Sequence, residues 1–231
     1  MNMNLNNKRI LISGGTSGLG RALALELAAR GARVVILART ESKIQELTKL
    51  NPKISGIQGD VANKKSFYPI AGELNTRLGG LDILINCASY LGQTPLRLLA
   101  DTDCQDFELV LQTNLLGPFR LTKALLPTML LQEQGVVVNI SSDAAINAYA
   151  NWGAYSVSKA ALDHLSQIFE VELSRQGVHF LAIDPGDMDT PMHEAAVPDA
   201  DRTSLRHPDD SAKKIIQLLE QQDFSKVRRT L

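Results

Sequence analysis

Short apolar runs alternate with amphipathic segments along this chain, and each kind of segment predicts a different element. Runs rich in Val, Ile and Leu are typical of strands buried on both faces of a parallel sheet. Six runs predict strands at residues 9–13, 34–37, 54–58, 81–85, 136–140 and 178–183. Apolar residues spaced three and four apart predict helices between them. One helix carries Leu23 and ends at Gly31, and others are predicted at residues 41–50, 63–78, 103–132, 152–175 and 210–222.

The segment at residues 103–132 is the least regular of the predicted helices. Gly117, Pro118 and Pro127 all disturb it, because glycine is a poor helix former and proline lacks a backbone donor. By propensity alone, this helix is predicted to divide near Gly117. Residues 186–208 are polar and irregular, and they predict a long loop.

Strands that alternate with helices, without a linker or repeat, indicate one doubly wound α/β domain over residues 1–231. We expect a Rossmann-like parallel sheet of six or seven strands with helices on both faces, in three α/β/α layers. Within it we expect a flexible tail at residues 1–7, a substrate loop at 186–208 and a second tail at 223–231. Ligands of such sheets bind outside the carboxyl ends of the strands, so the residues just after each strand are the candidates for function.

Composition and charge narrow the possible classes of function. The chain has 24 Lys and Arg against 25 Asp and Glu, a formal net charge of −1, which gives no general attraction to nucleic acid or anionic membranes. No apolar segment approaches the roughly 20 residues of a membrane span, and the asparagine-rich start does not resemble a secretory signal. The two cysteines stand in unrelated contexts, so neither a disulfide nor a metal site is indicated. We therefore expect a cytoplasmic protein with no nucleic-acid or membrane partner.

A glycine-rich turn follows the first predicted strand and precedes the first helix. Gly14, Gly18 and Gly20 would let the backbone approach a pyrophosphate, which the positive end of the helix attracts. The alternative is a tight strand–helix turn that binds no ligand. Because the turn lies between a strand and a helix, we favour phosphate binding.

The residues after the second and third strands bear on which dinucleotide is bound. Arg39 can pair with the 2′-phosphate of NADP, whereas a carboxylate at this position would accept the ribose hydroxyl of NAD. We therefore expect NADP(H) rather than NAD(H), although an exposed arginine in a loop is also common. Asp60 could contact the adenine edge together with the neighbouring Val61, or it could cap the following helix.

Tyr155 and Lys159 stand four residues apart in the helix after the fifth strand, and this spacing places them on one face. A phenol has a pKa near ~10, and we expect the lysine cation beside it to lower that pKa. Such a pair can pass a proton to or from an alcohol or ketone oxygen. The spacing alone is weak evidence, because many helices contain it.

Together these residues resemble the short-chain dehydrogenase/reductase family over roughly residues 8–192. The pattern of that family is Thr-Gly-x-x-x-Gly-x-Gly, then Asp-Val, Asn-Asn-Ala-Gly, a helix asparagine, a serine, Tyr-x-x-x-Lys and Pro-Gly-x-x-x-Thr. The matching positions occur in the same order: Ser13–Gly20, Asp60–Val61, Asn86–Ser89, Asn114, Ser142, Tyr155 with Lys159, and Pro185–Thr190. Ser142 stands thirteen residues before Tyr155, the usual separation in the family.

The resemblance implies a hydride transfer between nicotinamide and a carbonyl or secondary alcohol, with four catalytic residues. Tyr155 would exchange the proton with the substrate oxygen, and Lys159 would lower the pKa of Tyr155 and bind the nicotinamide ribose. Ser142 would polarise the substrate oxygen, and Asn114, within one distorted helix, would hold a water that links Lys159 to solvent. The implied cofactor contacts are Ser13, Gly14, Thr16, Ser17, Gly18, Leu19, Gly20, Arg39, Asp60, Val61, Asn86, Ala88, Tyr155, Lys159, Pro185, Gly186 and Thr190.

The chain departs from the family pattern at four places. Ser13 replaces threonine but keeps the hydroxyl, whereas Cys87 and Ser89 replace the second asparagine and the glycine of Asn-Asn-Ala-Gly. Asp184 stands where asparagine is usual. The basic residues 226–231 stand where members commonly form a seventh strand, which we expect to be absent or shortened.

Neither the substrate nor the assembly follows from the motifs alone. Two groups of side chains could line a substrate pocket or simply pack the loop: Met188, Met192, His193, Val197 and Leu205, and Tyr90, Leu91, Ile146 and Trp152. The resemblance implies a homodimer or homotetramer, because the helices at residues 103–132 and 152–175 form the dimer interface in the family. The alternative function is a non-catalytic NADP(H)-binding sensor or scaffold with the same fold. The four filled catalytic positions favour an enzyme.

Overall fold

Seven parallel strands form one sheet in the computed structural model, which describes residues 3–231. The strands are β1 (Arg9–Ser13), β2 (Arg33–Ala38), β3 (Ile54–Gln58), β4 (Ile83–Asn86), β5 (Gly135–Ile140), β6 (Val178–Asp184) and β7 (Arg228–Thr230). Their order is β3-β2-β1-β4-β5-β6-β7, so the direction in which strands are added reverses between β1 and β4. The predicted doubly wound, Rossmann-like sheet is confirmed.

Helices cover both faces of this sheet. They are α1 (Gly18–Ala29), α2 (Glu41–Leu50), α3 (Phe67–Leu78), α4 (Cys104–Leu111), α5 (Gly117–Leu131), α6 (Gly153–Leu173), α7 (Pro191–Ala196) and α8 (Pro208–Gln221). One buried apolar cluster joins α1, α2 and α8 to the first face, and another joins α3, α5 and α6 to the second. Ile10 and Ile12 of β1 belong to the first cluster and Leu11 to the second, so this strand is buried on both faces, as predicted. Among residues 3–231, no helix is both long and apolar enough to cross a membrane.

The irregular helix of residues 103–132 is continuous but distorted. α4 runs into a π-helical turn at Gln112–Leu116, which leads directly into α5. Pro118 falls in the first turn of α5, where a missing N–H is tolerated. Gly117 packs against Val61, and a Cβ at Gly117 would lie 2.9 Å from the Val61 carbonyl oxygen. The single distorted helix is confirmed, and the division predicted from propensity is wrong because the wide π turn accommodates Gly117 and Pro118.

Both ends of the described chain pack on the domain. β7 is short but present, and it pairs with β6 in the register Ala182↔Arg228. Residues 3–7 do not form the flexible tail that the sequence predicts, because Leu5 is buried and the Met3 N–H donates to the Glu220 carbonyl oxygen. Residues 1 and 2 lie outside the described residues.

The segment at residues 186–208 is less irregular than predicted, because α7 lies within it. Pro191 occupies the first turn of this helix, where its fixed φ is suited to helix initiation. The Thr190 side chain caps the helix by accepting a hydrogen bond from His193 N (3.2 Å). Local capping therefore gives order to the start of this segment.

Candidate active site

A cavity of about 360 Å³ opens at the carboxyl ends of the strands, within the size range of small-molecule sites. Its lining includes most of the predicted site residues: Gly14, Thr16, Ser17, Gly18, Leu19, Gly20, Arg39, Asp60, Val61, Ala88, Ser142, Tyr155, Lys159, Pro185, Gly186 and Thr190. Ser13, Asn86 and Asn114 are buried and do not line it. The fold therefore brings residues from six strand ends to one site.

The glycine-rich turn places the backbone of β1 against the segment after β4. Gly14 has a φ of +71°, and a Cβ there would lie 2.7 Å from Ala88 Cα, so only glycine fits. α1 begins at Gly18 (φ +48°), and its cap residue Ser17 makes no side-chain bond to the first turn. The N–H groups at the start of α1 can therefore bind an anion such as a pyrophosphate.

Two of the predicted cofactor contacts are buried outside the cavity lining and link neighbouring strand ends. Ser13 Oγ accepts hydrogen bonds from Cys87 N and Ala88 N, each 3.2 Å away, and so ties β1 to the segment after β4. Asn86 Nδ2 donates to Asn139 Oδ1 (2.8 Å) and links β4 to β5. These side chains hold the strand ends together, and their contact with a cofactor stays a prediction.

Two cationic side chains line the cavity near the carboxyl end of β2. Arg39 follows β2, and Lys43 lies in the first turn of α2. Lys43 is absent from the sequence-based prediction, although its place in the first turn of the helix after β2 could have indicated it. Asp60 Oδ1 accepts a hydrogen bond from Ala62 N (2.9 Å). Asp60 therefore shapes the turn after β3 and does not cap α3, which begins at Phe67.

Tyr155 and Lys159 share one face of α6 and are both buried, with 8% and 3% of their surface exposed. Lys159 Nζ donates to the Ile140 carbonyl oxygen (2.7 Å) and lies 5.4 Å from the centroid of the Tyr155 ring. The other two N–H groups of this ammonium have no protein partner among residues 3–231. The Trp152 ring packs edge-on against Tyr155, with a centroid separation of 5.7 Å. The helix therefore presents a phenol and an amine with spare donors to one cavity.

Burial governs the acidity of both side chains. It raises the pKa of the Tyr155 phenol, and the hydroxyls of Ser142 and Ser89 only partly oppose this shift. Burial also lowers the pKa of Lys159 to about 8. The lowering of the Tyr155 pKa by Lys159 stays a prediction: the pKa of the phenol is raised overall, because the loss of hydration of the phenolate is the largest effect.

Ser142 precedes a 3-10 turn at Asp143–Ala145. Its Oγ donates to Asp143 Oδ1 (3.0 Å) and accepts from Ala144 N (3.2 Å). Asp143 Oδ2 accepts a further bond from the Tyr149 hydroxyl (2.7 Å). Asp143 lines the cavity with Ser142, and it is absent from the prediction because the family pattern specifies only the serine.

Asn114 lies in the π-helical turn and holds the segment after β4. Its Oδ1 accepts from Tyr90 N (2.8 Å) and Ser89 Oγ (3.2 Å), and its Nδ2 donates to Tyr90 O (2.8 Å) and Ser158 Oγ (3.0 Å). Both donors and both acceptor positions of the amide are thus in use. The side chain therefore holds the segment after β4, and the water that the resemblance implies at Asn114 stays a prediction.

The segment after β6 closes on the glycine-rich turn. Gly186 has a φ of +72°, and its N–H donates to Asp184 Oδ1 (3.0 Å). A Cβ placed on Gly18 would lie 3.3 Å from Thr190 Cγ2. Residues after β1 and after β6 therefore form one wall of the cavity.

Part of the predicted substrate pocket belongs to the cavity. Its lining includes Tyr90, Leu91, Trp152, Met188, Met192 and His193. Ile146, Val197 and Leu205 lie outside the lining, and Ile146 is 67% exposed. The cavity therefore gives no support to a pocket role for these three residues, and the alternative that they pack the loop stays open for them.

A parallel sheet with a cavity at the carboxyl ends of its strands is typical of dinucleotide-binding α/β proteins. The sequence profile of the family described as short chain dehydrogenase matches residues 8–201. An uncharacterized oxidoreductase of Staphylococcus aureus (strain N315) is 32% identical over 219 residues, which cover 94% of this chain and 93% of the relative. The chain belongs to the short chain dehydrogenase family, and it is an oxidoreductase of that family.

Solved structures agree with this assignment. A structure from Shigella flexneri 2a, complexed with NADP, has a TM-score of 0.90 at 27% identity and covers 100% of this chain and 98% of its own. A structure from Escherichia coli CFT073, complexed with NADPH, has a TM-score of 0.90 at 28% identity, and the match covers 98% of this chain and 97% of that structure's chain. The fold of these nicotinamide-binding relatives is thus shared over nearly the whole chain.

Proposed function

We propose that this protein is an NADP(H)-dependent oxidoreductase that transfers a hydride between nicotinamide and a carbonyl or secondary alcohol substrate. The observation that carries the proposal is that Tyr155, Lys159 and Ser142 line the same cavity as the glycine-rich turn after β1. The reaction needs a proton donor, a group that holds the substrate oxygen and a site for the cofactor phosphates, and these residues supply all three.

The residues of the cavity fit a nicotinamide dinucleotide along its length. Gly14 and Gly18 admit a pyrophosphate at the start of α1, and the two spare N–H groups of Lys159 suit ribose hydroxyls. The bound cofactor would supply or accept the hydride. Arg39 and Lys43 favour NADP(H), because a 2′-phosphate binds cations strongly. The complexes of two structural relatives with NADP and NADPH support this preference.

Tyr155 is the proton donor in the proposed reduction. Its raised pKa keeps the phenol protonated at neutral pH, so it can give its proton to the carbonyl oxygen as negative charge develops there. Lys159 is charged below its pKa of about 8 and stabilises the phenolate that remains. Because burial disfavours the phenolate, the reaction depends on that charge.

Ser142 holds the substrate oxygen near Tyr155 in this mechanism. Its hydroxyl donates to Asp143 in the structure, so it must rotate before it can donate to a substrate carbonyl. A substrate alcohol can instead donate to Ser142 Oγ without that rotation. Asp143 retains its bond to the Tyr149 hydroxyl in either case.

Turnover of NADPH with a panel of ketones and quinones tests the proposal. Tyr155→Phe should lower kcat by about 100-fold or more, because it removes the general acid. Tyr68→Phe is the matched control, since Tyr68 is 77% exposed on α3 and does not line the cavity. Equal turnover in the parent and Tyr155→Phe would contradict the mechanism.

The second candidate is a non-catalytic NADP(H)-binding sensor or scaffold. The hydrogen bond from Ser142 to Asp143 favours it, because that bond occupies the proton that would polarise a carbonyl. Trp152 is the only tryptophan of the chain and lines the cavity, so energy transfer from it to NADPH reports binding. Binding by this assay without turnover of any substrate would favour the sensor.

We further propose that the protein is a cytoplasmic homodimer or homotetramer. α4 and α6 expose Leu109, Val157, Ile168 and Val171. Exposed apolar side chains grouped on neighbouring elements often mark a protein–protein interface. These helices are the ones that form the dimer interface in the family.

A further inference from the structure

We propose that Arg228, in the last strand of the sheet, is a positioning residue that holds Ser142 at the edge of the cavity. The inference rests on the proposed function, since the position of the Ser142 hydroxyl matters only if a substrate oxygen binds there. Arg228 begins β7 and stands 86 positions after Ser142 in the sequence. A contact across this separation can exist only in the folded sheet.

The guanidinium group of Arg228 contacts several elements around the cavity. Its Nε donates to Asp163 Oδ2 on α6 (2.8 Å), and its Nη2 donates to the Ser142 carbonyl oxygen (3.0 Å). Nη2 also lies 3.6 Å from Asp184 Oδ2 at the end of β6. Nη1 donates to Thr230 Oγ1 within β7 (3.0 Å). One side chain therefore joins β7 to α6 and to the ends of β5 and β6.

The two carboxylates that Arg228 contacts require a cation. The side chains of Asp163 and Asp184 are only 7% and 4% exposed, and a buried charge is costly unless it is paired. Asp163 Oδ1 has no hydrogen-bond partner among the described residues. Arg228 pairs with this carboxylate, and Lys159, one helical turn away, also interacts with it electrostatically. The charges therefore fix where the guanidinium group lies.

The bond to the Ser142 carbonyl links this cluster to the proposed chemistry. Ser142 has extended backbone (φ −160°, ψ 160°), so no regular helix holds it. Its carbonyl oxygen accepts one bond from Ala145 N (3.1 Å) in its own turn and one from Arg228. A displacement of about 1 Å in a reacting group can cost about 100-fold in rate. Loss of Arg228 should therefore lower kcat more than it weakens cofactor binding.

Arg229 provides a matched control at the next position of β7. Its guanidinium pairs with Asp223 (2.7 Å) and donates to the backbone oxygens of Lys226 and Asp223, away from the cavity. The side chains of Arg229 and Arg228 are 18% and 20% exposed. Replacing either removes a half-buried cation from β7, but only replacing Arg228 removes the contact with Ser142.

The test compares kcat, KM and NADPH binding in the parent, R228M, R228K and R229M. We expect R228M to lose about 10- to 100-fold in kcat with NADPH binding nearly unchanged, and R229M to match the parent. R228K keeps a charge against Asp163 but lacks the planar fork that serves two acceptors, so it should fold and retain an intermediate kcat. If R228M does not fold, R228K carries the comparison. A further variant, R228A, tests chemical rescue: guanidinium ion added to it should restore part of its kcat.

Each outcome separates this inference from the proposed function. An active parent whose R228M and R228K variants match R229M in kcat would overturn the inference alone. Equal losses of kcat and NADPH binding in R228M, with no rescue of R228A by guanidinium, would also overturn it, because they indicate a general loss of structure. A parent that binds NADPH but turns over no substrate would overturn the proposed function, and the role of Arg228 with it.

Discussion

Lys159 Nζ donates a 2.7 Å hydrogen bond to the carbonyl oxygen of Ile140, the last residue of β5. This bond ties α6 to the strand end that carries Ser142, so it fixes the amine relative to the serine. It also holds the amine away from water, and burial lowers the pKa of Lys159 to about 8. The charge of Lys159 is therefore sensitive to pH close to neutrality.

The pH dependence of kcat/KM should reveal this amine. Lys159 is charged below a pKa of about 8 and neutral above it, so its support for the Tyr155 phenolate is lost as the pH rises. The pH dependence of kcat/KM reports the pKa values of essential groups in the free enzyme. We therefore expect kcat/KM for carbonyl reduction to fall as the pH rises through about 8, the pKa of Lys159. Arginine stays charged, so Lys159→Arg should move the fall to higher pH in rate profiles. A fall at the same pH in both proteins would assign it to another group.

Local patterns in the sequence were sufficient to predict the fold and most of the residues that line the cavity. Buried apolar runs specify parallel strands, and the carboxyl ends of those strands meet at one edge of the sheet. That rule brings Gly14, Arg39 and Ser142 to one cavity, although they lie far apart in the chain. The spacing of Tyr155 and Lys159 needed only the periodicity of a helix.

Burial and long-range contacts could not be predicted in the same way. The raised pKa of Tyr155 depends on how much water the whole fold removes from the phenol. The basic segment 226–231 gives no indication that Arg228, and not Arg229, reaches Ser142. The hydrogen bonds of Asn114 depend on the π-helical turn, which local propensity does not specify.

Arg39 should distinguish the two nicotinamide cofactors. A hydrogen bond to a charged group contributes about 1.5–3 kcal/mol, so Arg39→Ala should weaken NADPH binding by about 10- to 150-fold. NADH lacks the 2′-phosphate, so its binding should change little, as fluorescence titration of Trp152 can measure. Lys43→Ala should produce a smaller shift of the same kind. Lys53→Ala, an exposed lysine outside the cavity, is the control, and equal losses for both cofactors in Arg39→Ala would exclude phosphate recognition.

Gly14 and Gly72 should respond in opposite ways to substitution by alanine. A Cβ on Gly14 would lie 2.7 Å from Ala88 Cα, and the φ of +71° is unfavourable for alanine. Gly14→Ala should therefore lower the free energy of unfolding by at least about 1–3 kcal/mol. Gly72 lies in α3 with nothing within 4 Å of an added Cβ. Gly72→Ala should therefore raise the free energy of unfolding by about 0.5–1 kcal/mol. Urea unfolding measures both, and a neutral Gly14→Ala would show that the turn can open.

Charge placed on the exposed face of α6 should separate the subunits. Val171 is 81% exposed and Ile168 is 44% exposed on this helix. Burying an apolar side chain of this size contributes about 1.5–3 kcal/mol, and a buried unpaired carboxylate costs more than that gain. Val171→Asp should therefore convert the oligomer to a monomer in light scattering at micromolar concentration. Tyr68→Asp introduces the same charge at an exposed position on α3 and should leave the mass unchanged, whereas a parent that is already monomeric would contradict an interface through α4 and α6.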